Sequence, residues 1–371
     1  MNDQDRWQQL GQKRLTRRNL LRASARAGVG AAGLALVGCG DDDDDDETVA
    51  PAPAAPAPAE PDLPNKITVF TQALVNNAAL WLAEEQGFFR EEGLNDVEII
   101  AFSSGTTASE SFRVGEGDII TTGDLPAINN WFTMEGGLRI IGALERDSLG
   151  YWGVARSEIE TAQDLIGKKI GTRVGSTGSY FIDIYLQNNG VDPSQVEVIN
   201  LETQVLVPAL DRGDIDAFFI WEPHPTRAEE VSGDKVHRLT SAEGHIVGYS
   251  TINARTSWLE DYPEGAVRFM RGLIKGADFA QANREATLKY FEDVHSVDTG
   301  ASGPQYDLQE VPIALDLQFY NDFCQQFRWA QSAGIRELDE ELLLNEWVAR
   351  DPLVGADASR APAAPFATCP V

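Results

Sequence analysis

The sequence predicts an α/β protein of two lobes, each a mostly parallel sheet flanked by helices, with a cleft between the lobes. Three observations carry that expectation. About 300 of the 371 residues remain once a leader-like start and a Pro/Ala-rich stretch are set aside, enough for two domains. Through that part, short apolar runs alternate with longer helical patterns, the βαβ order that builds a parallel sheet. The alternation also occurs twice, in two series that match each other residue type by residue type.

Taken in order, residues 1–38 read as an export signal. Thr16, Arg17, Arg18, Asn19, Leu20, Leu21 and Arg22 have the form of a twin-arginine signal, and the uncharged stretch after it, residues 27–38, is too short to span a bilayer. It runs into Leu36, Val37, Gly38 and Cys39, which resemble the lipobox of lipoproteins. Cleavage before Cys39 and lipidation of its sulfur are the expectation, which places the protein at the outer face of the cytoplasmic membrane. Residues 39–64 then form a tether. Positions 41–46 are six consecutive aspartates and positions 51–64 alternate Pro with Ala in the manner of a polyproline II spacer, and the 25 residues 40–64 together reach at most about 80 Å at ~3.1 Å per residue. Six identical neighbours lack the alternating spacing of a calcium loop and read as a solvated brush.

Residues 1–38 hold seven of the 30 basic side chains and two of the 58 acidic ones, so the remainder carries a formal charge of −33. That excludes nucleic acid as a partner. Only six lysines follow the leader, a composition that fits either a saline setting or a genomic base bias.

The first series places strands at residues 67–70, 97–102 and 119–122, with a helix over 78–90. The second places strands at 169–172, 196–201 and 217–220, with helices over 178–189 and 205–212. Val97-Glu98-Ile99 parallels Val196-Glu197-Val198, and Gly117-Asp118-Ile119 parallels Gly213-Asp214-Ile215. Each series then reaches an acid near a proline, Asp124 before Pro126 and Glu222 before Pro223. In open α/β sheets the carboxyl edge is where ligands bind, so two such edges facing one another line a cleft. Ser104, Gly105 and Thr106 precede one helix, and Gly175, Ser176, Thr177 and Ser179 precede its counterpart. Small residues before a helix leave backbone N–H groups free for an anion, and hydroxyls add donors. Ordinary helix capping by the same residues stays open. No phosphate-loop signature is present around Gly167-Lys168-Lys169, so a compact oxyanion is the better match.

Four stretches, residues 87–94, 117–126, 164–170 and 213–223, resemble the substrate-binding proteins of ABC transporters for aliphatic sulfonates, taurine, nitrate or thiamine-pyrimidine precursors. The resemblance covers roughly residues 66–290. It implies a periplasmic-binding-protein type II fold that closes on its solute, works as a monomer without cofactor or metal, and hands the solute to a permease with its ATPase. It implies lobe one from 65–154 with 248–347, lobe two from 155–247, a flexible tail over 348–371, and hinges near Gly153 and Gly248. Carried over position by position, the ligand contacts are Gln72, Ser104, Gly105, Thr106, Ser176, Thr177, Ser179, Tyr180, Trp221 and Glu222.

Asp124 and Glu222 would repel an anion unless something positive lies between them, which a zwitterion such as taurine supplies; alternatively both acids cap helices and never touch solute. Arg173 offers an extra cation, or stands as an exposed strand-end arginine. Cys324 and Cys369 pair, or Cys324 stays a buried free thiol. The rival readings are a solute sensor on the same fold and an exported hydrolase. For the latter there is no Gly-x-Ser-x-Gly elbow and no His-Glu-x-x-His, and the four histidines share no motif, so the chain is read as no enzyme.

Overall fold

Residues 62–115, 117–332, 343–365 and 367–369 are described by a computed structural model. The expected signal, the lipidated Cys39 and the tether to residue 61 lie outside the described residues. What is described belongs to a single unit, Ala59–Val371.

The apolar runs form ten strands in two sheets. In the first, Ile67–Gln72 (β1), Val97–Phe102 (β2) and Ile119–Gly123 (β3) are joined by Leu138–Asp147 (β4) and, from far along the chain, Gly248–Arg255 (β10). In the second, Lys169–Thr172 (β6), Glu197–Asn200 (β7) and Ala217–Trp221 (β8) are joined by Tyr151–Arg156 (β5) and Val236–Ser241 (β9). The orders are β2-β1-β3-β10-β4 and β7-β6-β8-β5-β9. Both sheets are mixed and mostly parallel as expected: four of the five strands in each run one way, and one, β10 or β5, runs against them. β1 lies parallel to β2 and β3, but β10 runs antiparallel to β3 and β4; β6 lies parallel to β7 and β8, but β5 runs antiparallel to β8 and β9.

The duplication is visible in the register, with one correction. Val69 pairs with Ile119 and Ile170 pairs with Ala217. Asp118 accepts from the Thr68 amide and Asp216 from the Lys169 amide, in the same place in each sheet. The counterpart of Gly117-Asp118 is therefore Ile215-Asp216, two residues beyond the sequence match. Asp124 and Glu222 then correspond, as do Gln72 and Arg173.

The chain leaves the first sheet at Asp147 and enters the second at Tyr151. The crossing thus lies at residues 148–150, ahead of the expected boundary at 154, and Gly153 sits mid-strand opposite Phe219 and Thr240 rather than at a hinge. The return spans residues 242–247, between β9 and β10.

Helices cover the sheets. Ala78–Glu85 (α1) stops short of the expected residue 90 because Gly87 takes a left-handed turn, φ +79°, that a side chain resists. Gly105–Arg113 (α2) and Asp124–Thr133 (α3) follow β2 and β3; Thr177–Asn188 (α4), Thr203–Arg212 (α5) and His224–Ser232 (α6) do the same in the second lobe. The chain after β10 folds into Pro263–Ala282 (α7) and Arg284–His295 (α8), with Thr299–Leu308 (α9) and Leu317–Ser332 (α10) after them. α7 buries Phe269, Met270 and Leu273 and crosses α1 so closely at Gly276 that a Cβ there would stand 2.1 Å from the Ala79 carbonyl oxygen.

The tail is packed, not flexible. Leu353 and Ala361 are buried, Leu343 bridges to Thr368, and Cys369 is disulfide-bonded to Cys324 on α10. Trp347 stacks on Trp131 of α3 at 4.3 Å and meets Phe323 and Phe327 of α10 edge-on. Apolar area at about 25 cal/mol per Å² makes such a cluster strong enough to hold the segment.

Candidate functional site

Each lobe sends a helix N-terminus into the interlobe cleft. Ser104 caps α2, its Oγ accepting from the Thr107 amide at 3.1 Å, and Ser176 caps α4, its Oγ accepting from the Gly178 amide. Both caps are extended residues, as capping requires. The first-turn amides beyond each cap have no acceptor within their own helix and carry the positive end of the helix dipole. Gly105 has no room for a side chain, since a Cβ would stand 2.4 Å from Thr122 Oγ1.

Six predicted residues line one cavity: Gln72, Gly105 and Thr106 from the first lobe, Ser176, Thr177 and Trp221 from the second. Its volume is about 30 Å³. That is room for a water or two. Thr106 Oγ1 is buried with no partner in the protein.

The other six predicted residues serve the frame. Ser104 is a buried cap. Ser179 closes the 173–179 loop, its Oγ accepting from the Gly175 amide and donating to the Arg173 carbonyl. Tyr180 packs on Trp329 at 5.1 Å. Arg173 is neither exposed nor in the cavity: it donates to Glu110 of α2 at 3.0 Å, an ion pair across the lobes, and lies 3.6 Å from Glu202. Glu222 accepts from the Thr226 amide and pairs with Arg238 at 2.8 Å, which leaves it tied to α6.

Asp124, 0% exposed, accepts four bonds: from the Leu125 amide and Thr177 Oγ1 on one oxygen, from the Tyr249 amide and Gln326 Nε2 on the other. It sits in the first turn of α3 and fills that helix's anion position itself. Burial outweighs the four donors and pushes its carboxyl up to about 6. Thr177 belongs to α4, so this carboxylate links the two lobes at 2.8 Å.

The acids that do face the cavity are Glu145 and Asp147, at the end of β4. Two residues apart on a strand, they share a face, while Arg146 between them points away to Glu310 and Asp316. Asp147 accepts from the Leu149 and Gly150 amides, both at 2.7 Å, and from Gln305. Glu145 accepts from Asn76 at 2.7 Å through one oxygen; the other, Oε1, is buried without a partner. Burial, then the Asp147 charge, raises the Glu145 carboxyl well above its ordinary range. Sequence reasoning passed over these two because β4 was not read as a strand. The signal was present in Ile140-Ile141-Gly142-Ala143-Leu144, an apolar run closed by acids at i and i+2. Among the described residues, the cavity is lined by no Lys, Arg or His.

Residues 75–287 match the family described as NMT1/THI5 like. The taurine-binding periplasmic protein of Escherichia coli (strain K12) is 30% identical over 42% of this chain, and the match spans 48% of that protein's own length. The alkanesulfonate-binding protein of Xanthomonas axonopodis pv. citri, solved bound to MOPS, superposes with a TM-score of 0.67 at 17% identity, over 78% of this chain and 99% of that one. The periplasmic nitrate-binding protein of Synechocystis PCC 6803 superposes with a TM-score of 0.68 at 15% identity, covering 82% and 92%. The same fold occurs in a desulfurization enzyme, with a TM-score of 0.62 at 16% identity over 80% and 100% of the two chains. At these identities the solved structures speak to the fold alone.

Proposed function

The chain belongs to the NMT1/THI5-like family, and from that premise we propose that it is a solute-binding protein of an ABC importer, capturing a small oxyanion-bearing solute between its lobes. A sulfonate or taurine is the first choice, nitrate or a thiamine-pyrimidine precursor the next. The observation that carries the reading is the meeting of the α2 and α4 N-termini, one from each lobe, on a cavity that also holds the unpartnered Thr106 hydroxyl. The taurine-, alkanesulfonate- and nitrate-binding relatives support the same kind of solute.

In this reading the lobes, residues 65–150 with 248–369 and 151–247, part about the crossings at 148–150 and 242–247. Solute enters, and closure brings the α2 and α4 amides onto the anion. The solute shifts the balance only by its differential affinity for the closed form. The protein binds as a monomer and without a cofactor or metal, delivers to a permease with its ATPase, and is exported by the twin-arginine route and held at the membrane by lipid on Cys39. Replacing Cys39 by alanine and following the protein between membrane and soluble fractions tests the anchor.

The solute is tested by thermal denaturation of the protein with taurine, alkanesulfonates, nitrate, bicarbonate, pyrimidine precursors and aromatic carboxylates in turn. One class producing a saturable rise in Tm is expected, since ligand at 100 times Kd adds about 2.7 kcal/mol to the native state. No rise with any oxyanion would refute the oxyanion reading.

A further inference from the structure

The cavity is chemically lopsided. On one side stand the N-terminal amides of α2 and α4 with the Thr106 hydroxyl, all donors. On the other stand Glu145 and Asp147 of β4, with no basic side chain among the described lining residues. Asp147 is occupied by three donors from the protein. Glu145 is 3% exposed, and its Oε1 is buried with no donor. A buried carboxylate oxygen in that state is costly, and beside a second acid more so, unless the cavity's occupant supplies a donor or a positive charge. A purely anionic solute would add a third negative group and worsen the imbalance.

From this geometry we infer that Glu145 is a specificity-determining residue that receives a cationic, ammonium-type group, so that the solute is a small zwitterion with its oxyanion on the helix ends. The inference rests on the oxyanion reading above and deepens it. Asn76, donating to the other Glu145 oxygen at 2.7 Å, holds the carboxyl in the cavity wall and leaves Oε1 as the oxygen without a donor. The burial that raises the Glu145 carboxyl is what makes it sensitive to the charge of its neighbour. A cation restores the ionised form; a neutral or anionic solute does not.

The test uses two pairs of probes that differ only in the ammonium: taurine against ethanesulfonate, and β-alanine against propionate. Binding of each to the purified full chain is measured by calorimetry, with the wild type and with Glu145→Gln. The substitution keeps the shape and the bond to Asn76's neighbourhood but removes the charge. The expected result is that in at least one pair the aminated member binds at least tenfold tighter to the wild type, and that Glu145→Gln removes this preference while still binding the deaminated member. A wild type that binds the deaminated members as tightly overturns the inference and leaves the oxyanion reading standing. So does a preference that survives in Glu145→Gln. Binding of none of the four overturns the inference, and the oxyanion reading falls with it only if nitrate, bicarbonate and the pyrimidine precursors also fail to raise Tm. Thermal melting of solute-free Glu145→Gln, expected to match the wild type because burial already holds the carboxyl toward its neutral form, separates loss of preference from loss of fold.

Discussion

Replacing Thr177 by valine removes one hydroxyl at nearly constant volume, and that hydroxyl is the donor from α4 to Asp124 of the first lobe at 2.8 Å, both groups buried. A hydrogen bond to a charged group is worth about 1.5–3 kcal/mol, and Asp124 keeps its other three donors inside the first lobe. The loss therefore falls on the contact between lobes, shifting the closed-to-open ratio by roughly 10- to 150-fold. The ion pair across the lobes, Arg173 with Glu110, is the control: Glu110 has a half-exposed side chain, so Glu110→Gln should cost at most ~1 kcal/mol. Small-angle X-ray scattering of solute-free protein reads the difference as radius of gyration. Thr177→Val should be measurably more expanded than the wild type, and Glu110→Gln close to it. A Thr177→Val protein with the wild-type radius, or a Glu110→Gln protein more expanded than Thr177→Val, would refute the assignment of Asp124 as the link between lobes.

Three further outcomes are expected. Asp124 has its carboxyl raised from 3.8 to about 6, so the folded state holds a proton that the unfolded chain has lost between about pH 4 and 6; its contribution to stability is fullest near pH 4 and falls as pH rises to 6, by on the order of 3 kcal/mol. Urea denaturation of wild type and Asp124→Asn across that range should show the wild type losing ground to the variant as pH rises, and the opposite slope would contradict the burial argument. Gly276→Ala places a Cβ 2.1 Å from the Ala79 carbonyl oxygen and should destabilise by about 1–3 kcal/mol, seen as a lower Tm. Cys369→Ser opens a bridge spanning 45 residues, for which the chain-entropy relation gives about 4 kcal/mol; reductant should lower the wild-type Tm and leave the variant unchanged.

The parts of the fold that the sequence announces are those where one strand, one turn and one helix follow directly. β1, β2, β3, β6 and β8 fall where their β-branched and aromatic runs predict, and the Ser104 and Ser176 caps sit where their loops predict. What stayed hidden needed a partner distant in sequence. β4 joins its sheet only through antiparallel pairing with β10, and β5 and β9 join theirs through antiparallel pairing with β8 and with each other, and pairing direction leaves no local mark. Glu145 was missed with β4. Arg173 resembled a ligand cation because Glu110, which neutralises it, lies 63 residues away on the other lobe. Glu222 and Asp124 are equivalent in the duplication, yet one is held by Arg238 and the other by Thr177 and Gln326. The pairing of acid with donor is a tertiary fact in both cases. The tail misled for a related reason: its Pro and Ala content suggests disorder, while Trp347 and Cys369, few but large or covalent, fasten it.

The position of β10 in the middle of the first sheet governs the order in which this protein can be made. Residues 248–255 lie between β3 and β4, each of which hydrogen-bonds that strand. A chain emerging from the ribosome has synthesised every strand of the second sheet, up to Ser241, before the strand that completes the first has appeared. All the strands of the inserted lobe are thus made while the earlier-made lobe still waits with two unpaired strand edges. Those edges pair with the chain's own late segment or with something else, so the interval between residues 147 and 255 is when this protein is most exposed to misassembly.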